Sequence, residues 1–113
     1  MRVLVAGAAG QLGQAMVARL ARDHEVIPCT RAEVDLTVQA ATLDFVRRAR
    51  PRAIVNCASY NDVDAAERNQ QHAFATNAFV PRTLARAAEE LDATLIHYST
   101  DFVFSGTSDR PYT

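Results

Sequence analysis

Residues 1–13 read MRVLVAGAAGQLG, a short apolar run followed by a turn with three glycines. The run is typical of a strand buried on both faces, and an amphipathic helix is predicted after it, over residues 11–22. Gly7 permits the tight turn, Gly10 lets the backbone approach a phosphate, and Gly13 lets the helix pack close to the strand. Free N–H groups and the positive helix end favour an anion. The pattern therefore predicts a nucleotide-binding turn, with a purely structural glycine turn as the weaker alternative.

The rest of the chain continues the alternation of strands and helices. Short strands are predicted at residues 25–29, 53–56 and 94–98, and the main further helices at residues 37–50 and 70–91. Parallel strands with right-handed crossovers bury such a β-α-β-α-β-α-β pattern. We therefore predict that residues 1–113 form the N-terminal portion of an α/β Rossmann-type domain, a doubly wound parallel sheet with strand order 3-2-1-4. The sheet is expected to be incomplete, since the usual arrangement has further strands after the fourth.

Single residues add local expectations to these elements. Pro28 lacks an N–H and is predicted at the end of its strand, whereas Pro81 lies inside the helix over residues 70–91 and predicts a kink. Asp64 and Glu67 have capping-box spacing and predict the start of a short helix. His97 lies on an apolar strand and is predicted to be a packed core residue rather than a base. The helix over residues 70–91 is expected to face inward with Phe74, Ala78, Ala85, Ala88 and Leu91.

Composition argues for a protein of the ordinary globular class. Apolar residues make up 49%, charged residues 22%, and the formal net charge is −1. No global field favours nucleic acid or anionic membrane, no apolar run approaches the roughly 18 residues of a membrane span, and no signal peptide is recognisable. A cytoplasmic location is predicted, without nucleic-acid or membrane partners. Cys29 and Cys57 are predicted to be buried, reduced thiols, with a disulfide or metal site as the weaker alternative, so no metal site is predicted.

The segment after the second strand bears on the choice of dinucleotide. An enzyme that prefers NAD carries an acidic residue there for the ribose hydroxyls, whereas an arginine suits the 2′-phosphate of NADP. Arg31 therefore favours NADPH, and the nearby Glu33 keeps NADH as an alternative. Asp35 has two open interpretations, a helix cap or a contact with the adenine end of the cofactor.

Five segments together resemble the dTDP-4-dehydrorhamnose reductase family of extended short-chain dehydrogenases. They are MRVLVAGAAGQLG, VDLT, RPRAIVNCASYNDVDAAE, FATNA and IHYSTDFVFSG, and the similarity covers residues 1–113. Its most specific part is HYSTDFVF at residues 97–104. The resemblance implies an NADPH- or NADH-dependent oxidoreductase that reduces the C4 ketone of dTDP-4-dehydro-L-rhamnose, a nucleotide sugar, for polysaccharide biosynthesis.

The resemblance also implies roles for individual residues. Thr100 matches the catalytic Ser/Thr, which hydrogen-bonds the carbonyl oxygen as negative charge develops on it, and Asp101 matches a neighbouring substrate-side position. Taken alone, Ser99-Thr100-Asp101 is more typical of a turn, but its position after the fourth strand, beside the nucleotide loop, favours the functional interpretation. The implied cofactor residues are Gly10, Gln11 and Leu12 at the pyrophosphate, Asp35 and Leu36 at the adenine, and Ser59, Tyr60 and Asn61 at the nicotinamide.

The sequence departs from the family pattern at three places. Asn61-Asp62 stands where Thr-Ala is usual, and Phe102 replaces a common Tyr. The Tyr-x-x-x-Lys pair, which protonates the ketone oxygen and holds the ribose, has no counterpart, since the twelve basic residues are all arginine. We expect that pair and the C-terminal substrate-binding part to lie beyond residue 113, and the chain alone to be inactive.

Two other classes of function remain open. One is a non-catalytic relative, such as the regulatory β-subunit type of methionine adenosyltransferase. The other is a different extended short-chain enzyme, a sugar-nucleotide epimerase or dehydratase, against which the run YSTDFVFSG at residues 98–106 argues. The complete protein is expected to bind a nucleotide-sugar substrate and is a candidate homodimer.

Overall fold

The structure is a computed structural model that describes residues 1–113. Strands and helices alternate as the sequence predicts, and no helix has the length and apolar character to cross a membrane. The strands are β1 (Arg2–Ala6), β2 (Glu25–Cys29), β3 (Ala53–Asn56) and β4 (Thr94–His97). The helices are α1 (Gln11–Leu20), α2 (Gln39–Ala49), α3 (Val63–Arg68), α4 (Gln70–Phe74), a π-helical turn (Ala75–Phe79), α5 (Val80–Glu90) and a short 3₁₀ turn (Asp101–Val103).

The four strands form one parallel sheet in the order β2-β1-β3-β4. The predicted Rossmann-type doubly wound sheet is confirmed, but the predicted order 3-2-1-4 is wrong. The observed order begins the other common doubly wound arrangement, in which the winding direction reverses between β1 and β3.

Pro28 explains why β2 lies at the edge. It sits inside β2, opposite Val5, rather than at the end of the strand as predicted. The Cys29 carbonyl accepts hydrogen bonds from the Gly7 and Ala8 N–H groups, so the backbone of Cys29 faces β1. Alternation along the strand turns the backbone of Pro28 to the other, unpaired side. The order 3-2-1-4 would have placed a strand there and lost a ladder bond.

Two apolar layers hold the sheet. On one face, α2 and α5 pack on the sheet around Leu4, Ile54 and Leu84, none of which has exposed surface. On the other face, α1 packs on Val5 and Val55. Full burial of each large side chain stabilises the fold by about 1.5–3 kcal/mol. These layers fix the carboxyl ends of β1 and β3 relative to each other.

The edge strand β4 is much less buried than expected. Ile96 is 46% exposed, and His97 is exposed too. The prediction of a packed core histidine is therefore wrong. β4 is an edge strand, and α5 is the one helix that packs closely on it.

The long helix predicted over residues 70–91 is interrupted. Pro81 cannot donate to the carbonyl of Asn77, and the break takes the form of the π-helical turn directly before α5. The predicted inward face is largely wrong, because the buried face runs through Thr76 and Val80 rather than through Phe74 and Ala78. Phe74, Ala78 and Ala85 are exposed and Leu91 is half-buried, whereas the buried residues are Thr76, Val80, Thr83, Leu84, Ala87 and Ala88.

The cap of α3 also differs from the prediction. Asp62, rather than Asp64, is the N-cap, and its carboxylate accepts a hydrogen bond from the Ala65 N–H at 2.9 Å. Helix α3 therefore begins at Val63.

Candidate functional site

Two adjoining cavities open at the carboxyl edge of the sheet. The first, of about 470 Å³, is lined by the loops after β1, β2 and β3 and by the helical segment over residues 72–80. The second, of about 490 Å³, lies at the ends of β3 and β4. Cys57, Ala58 and Ser59 line both cavities. Ligands of doubly wound sheets bind at this edge, where the winding direction reverses.

The three glycines of the first turn have different surroundings. Gly7 has a φ of 74°, and a Cβ there would lie 2.7 Å from the Ala58 nitrogen. A Cβ on Gly13 would collide with the Gly7 carbonyl and lie 2.8 Å from the Ala8 Cα. A Cβ on Gly10 would meet only the Gly7 oxygen, at 3.3 Å, and Gly10 lines the first cavity. The fold thus requires glycine at positions 7 and 13, whereas the backbone packing leaves room for a Cβ at position 10 after a small shift.

The N-terminus of α1 is ready to receive an anion. Gly10 is its N-cap, no side chain caps it, and its first turn has no acidic residue. The first-turn amides, those of Gln11 and Leu12 among them, therefore have no partner within the helix. Gln14 steadies the loop by donating from its side-chain amide to the Ala9 carbonyl at 2.8 Å. Free amides and the helix dipole together favour a phosphate group.

Arg31 and Glu33 differ in their relation to the first cavity. Arg31 lines the cavity, and Glu33 does not. The Glu33 carboxylate accepts hydrogen bonds from the N–H and the hydroxyl of Thr30, the first of these at 2.8 Å, which holds the pKa of Glu33 below its ordinary value. Glu33 is thus engaged in a local turn, and of these two residues only Arg31 lines the cavity.

Asp35 lines the first cavity together with Leu36. Its carboxylate accepts hydrogen bonds from the N–H and hydroxyl of Thr37, at 2.9 and 2.7 Å. These bonds are the main reason why the pKa of Asp35 is lowered, and the positive charges of Arg31 and His72 add to the effect. Because α2 is capped at Val38, Asp35 is not the helix cap and instead forms a turn before it.

Asn77, in the π-helical turn, holds the loop after β3 by two hydrogen bonds to the backbone of Tyr60. The side-chain amide of Asn77 accepts from the Tyr60 N–H at 2.8 Å and donates to the Tyr60 carbonyl at 3.0 Å. The Tyr60 ring packs edge-on against His72, with ring centroids 5.1 Å apart, and lines neither cavity. Ser59 lines both cavities and Asn61 lines the second.

Thr100 lines the second cavity, next to Tyr98 and Ser99. Its hydroxyl oxygen accepts from the Phe102 N–H at 3.2 Å and caps the 3₁₀ turn, as the turn interpretation predicts. The hydroxyl donates a hydrogen bond to the Asp101 carboxylate at 3.3 Å, and Asp101 does not line the second cavity.

Beneath Thr100, a polar pair joins the ends of β3 and β4. The Asn56 side chain is buried, and its oxygen accepts from the Ala58 N–H at 3.1 Å. This bond identifies the amide nitrogen of Asn56 as the donor to His97 Nδ1, also at 3.1 Å. The pair fixes the floor of the second cavity.

Both cysteines are free thiols, as predicted. Cys29 is buried at the end of β2, and this burial, with the charge of Glu33 as a smaller cause, raises its pKa to about 11. Cys57 is only half-buried, and burial raises its pKa as well. Neither thiol has the lowered pKa of a reactive cysteine.

Several residues that line the two cavities were not identified from the sequence. His72, Thr76 and Val80 line the first cavity, and their helix was predicted without its position over the glycine turn. Their spacing of four residues places them on one side of the helical segment, and this spacing could have identified them from the sequence. Asn56, Asn77 and His97 line the second cavity.

The parallel sheet, the glycine turn and the cavities at the reversal point define a Rossmann-type nucleotide-binding domain. Residues 1–113 match the family described as "RmlD substrate binding domain". The chain belongs to this family, that of the dTDP-4-dehydrorhamnose reductases.

Three similar proteins illustrate the relationship. The dTDP-4-dehydrorhamnose reductase of Mycobacterium tuberculosis is 41% identical over 98% of this chain and 38% of its own length. The dTDP-4-keto-6-deoxy-D-glucose reductase of Streptomyces niveus is 42% identical over 98% of this chain and 39% of its own. A crystal structure of dTDP-4-dehydrorhamnose reductase from Bacillus anthracis, in complex with NADP, has a TM-score of 0.87 at 36% identity, covering 97% of this chain and 39% of that one. The chain thus spans about two fifths of these relatives.

Proposed function

We propose that this chain binds NADPH, and that the complete protein uses it to reduce the C4 ketone of dTDP-4-dehydro-L-rhamnose to dTDP-L-rhamnose. The observation that carries the proposal is the uncapped N-terminus of α1, which opens at Gly10 into a cavity at the reversal point of the sheet. The NADP complex of the Bacillus anthracis relative supports the choice of cofactor.

The residues present fit such a dinucleotide along its length. The first-turn amides of α1 would hold the pyrophosphate, beside the open position at Gly10. Asp35 and Leu36 would border the adenine, and Arg31 would face the 2′-phosphate, which favours NADPH over NADH. Ser59, in both cavities, and Asn61, in the second, would border the nicotinamide.

The second cavity would receive the ketone. NADPH supplies the hydride when bound. The Thr100 hydroxyl would turn its proton from Asp101 to the ketone oxygen, where negative charge grows during reduction, and Asp101 would remain next to it on the substrate side. The proton donor is assigned to a Tyr-x-x-x-Lys pair elsewhere in the complete protein, because none of Tyr60, Tyr98 and Tyr112 has a lysine partner in this chain.

Two measurements test the proposal. Calorimetric titration of the 113-residue chain with NADPH should show binding at one site, and its absence would contradict the assignment of the first cavity. In the complete protein, Thr100→Val should lower kcat for NADPH oxidation with dTDP-4-dehydro-L-rhamnose by about 10²–10³-fold, with Thr100→Ser retaining most of the activity. Equal rates for Thr100→Val and wild type would remove Thr100 from the reaction.

A second candidate substrate is another dTDP-4-keto-6-deoxy sugar, since the Streptomyces niveus relative carries that activity in its name. Comparison of kcat/KM for the two ketones with the complete protein distinguishes them. A complete protein that binds NADPH and turns over neither ketone would instead support a regulatory role. A cytoplasmic location and a homodimer of the complete protein stay predictions.

A further inference from the structure

His72 borders the first cavity from the helical side. It lies in the first turn of α4, is half-buried and lines that cavity. After the hydrogen bonds from Thr37, the charge of His72 is one of the smaller causes of the lowered pKa of Asp35, which lines the same cavity from the loop after β2. His72 and Asp35 therefore lie near each other although they belong to different elements, and His72 is at the Asp35 end of the cavity.

The imidazole ring of His72 is held by Tyr60. The two ring centroids are 5.1 Å apart and the ring planes meet at 82°, an edge-to-face arrangement that aromatic rings prefer. Tyr60 lines neither cavity, so it packs on a part of His72 that does not face the first cavity. The Tyr60 backbone is in turn fixed by its two hydrogen bonds to Asn77. His72 is thus a flat ring with a fixed orientation in the cavity wall.

The surroundings of His72 indicate what kind of group it would meet. Heteroaromatic bases stack on aromatic side chains, histidine among them, because every base has a π-face. Val34 and Leu36 also line this cavity, and apolar side chains suit a flat ring better than a phosphate, whose charge would be desolvated there. Adenine is the flat ring that the proposed function places beside Asp35 and Leu36.

We propose that the His72 ring stacks on the adenine base of the cofactor, and that Tyr60 is a positioning residue that holds the His72 ring for this contact. The proposal rests on NADPH binding to the first cavity. It gives Tyr60 a role at the adenine end, instead of the nicotinamide contact that the family resemblance implies, and this fits the position of Tyr60 outside both cavities.

The first test compares His72→Ala, which removes the ring, with His72→Phe, which keeps a flat ring without a charge. The affinities of the 113-residue chain for NADPH and NADH are measured by calorimetry. His72→Ala should weaken both by about tenfold, because base–aromatic stacking contributes at this level and both dinucleotides carry adenine. His72→Phe should bind both like the wild type. The matched control is Phe74→Ala, which removes an exposed ring of the same helix that lines neither cavity, and it should change neither affinity.

A double-mutant cycle tests the role of Tyr60. Tyr60→Leu should weaken the binding of both dinucleotides by about twofold to threefold, whereas Tyr60→Phe keeps the ring and should bind like the wild type. Because Tyr60 acts through His72, adding Tyr60→Leu to His72→Ala should cause no further loss of affinity. Additive losses would overturn the positioning role, since a general effect on the fold would not depend on His72.

The pattern of losses separates stacking from an ionic contact. A loss for NADPH alone in His72→Ala would overturn the proposal and indicate a contact with the 2′-phosphate. Unchanged affinity, or a loss that His72→Phe does not restore, would overturn it as well. Melting of each free variant well above the assay temperature shows that a loss of affinity does not come from unfolding. Failure of the wild type to bind either dinucleotide would instead overturn the proposed function.

Discussion

Replacing Gly10 with valine should remove cofactor binding and leave the fold intact. Gly10 has φ −74° and ψ 168°, an extended conformation that valine readily adopts. The new Cβ would meet only the Gly7 oxygen, at 3.3 Å, which a shift of a few tenths of an ångström relieves. The free energy of unfolding should therefore change by no more than about 1 kcal/mol, since the loss of glycine flexibility in the unfolded chain partly offsets the contact.

The effect on NADPH should be far larger. The valine side chain occupies the space in front of the first turn of α1, where the amides would meet the pyrophosphate. Two charge-assisted hydrogen bonds are lost at about 1.5 kcal/mol each, together about 3 kcal/mol. This corresponds to a loss of affinity of at least about 100-fold.

Gly13→Ala is the matched control with the opposite expectation. Its Cβ would collide with the Gly7 carbonyl and the Ala8 Cα, so backbone has to move, at a cost of about 1–3 kcal/mol or more. Thermal melts with and without NADPH, followed by calorimetric titration, compare the two variants with the wild type. A stable Gly10→Val chain that binds NADPH undiminished would refute the assignment of the glycine turn, and a Gly13→Ala chain as stable as the wild type would refute the packing argument.

Three further predictions concern the walls of the cavities. Arg31→Ala should weaken NADPH binding by about tenfold at low salt and leave NADH binding unchanged, measured by calorimetry, and equal losses for both would exclude a 2′-phosphate contact. Asn77→Ala should lower the free energy of unfolding by about 1–2 kcal/mol in urea denaturation, because both hydrogen bonds to the Tyr60 backbone are lost, while an unchanged midpoint would show that the loop needs no such support. The Cys29 thiol keeps its proton in the folded chain up to about pH 11 but ionises from about pH 9 when unfolded, so stability should fall as the pH rises through this window. The free energy of unfolding of Cys29→Ala, measured by urea denaturation at several pH values across this window, should fall less steeply with pH than that of the wild type. Equal slopes for the two proteins would contradict the raised pKa of Cys29.

The local features of the fold were readable from the sequence. The strand, glycine turn and helix of residues 1–20 depend on neighbouring residues only, and the spacing of Gly7, Gly10 and Gly13 carries their roles. The free cysteines and the break before Pro81 are likewise local consequences of composition and of a missing N–H.

The strand order and the inward face of the long helix were not predicted correctly. Strand order depends on whether the third strand joins β1 or β2, and the pattern of apolar residues is the same for both choices. Pro28 could have decided the strand order. A proline inside a strand has no N–H to donate, so that side of the strand has to be unpaired and the strand lies at an edge of the sheet. The predicted face began at the large apolar side chain of Phe74, whereas the buried face keeps the helical spacing from Thr76 onward, and a buried threonine does not stand out in an apolar pattern.

Pro28 also determines in which direction the sheet can associate with other chains. The outward side of β2 lacks one N–H donor, so an additional strand laid against it would form an interrupted ladder. Two molecules are thereby discouraged from joining their sheets edge to edge through β2, a frequent first step in aggregation of exposed strands. The outer side of β4 contains no proline, so a further strand can form an uninterrupted ladder there.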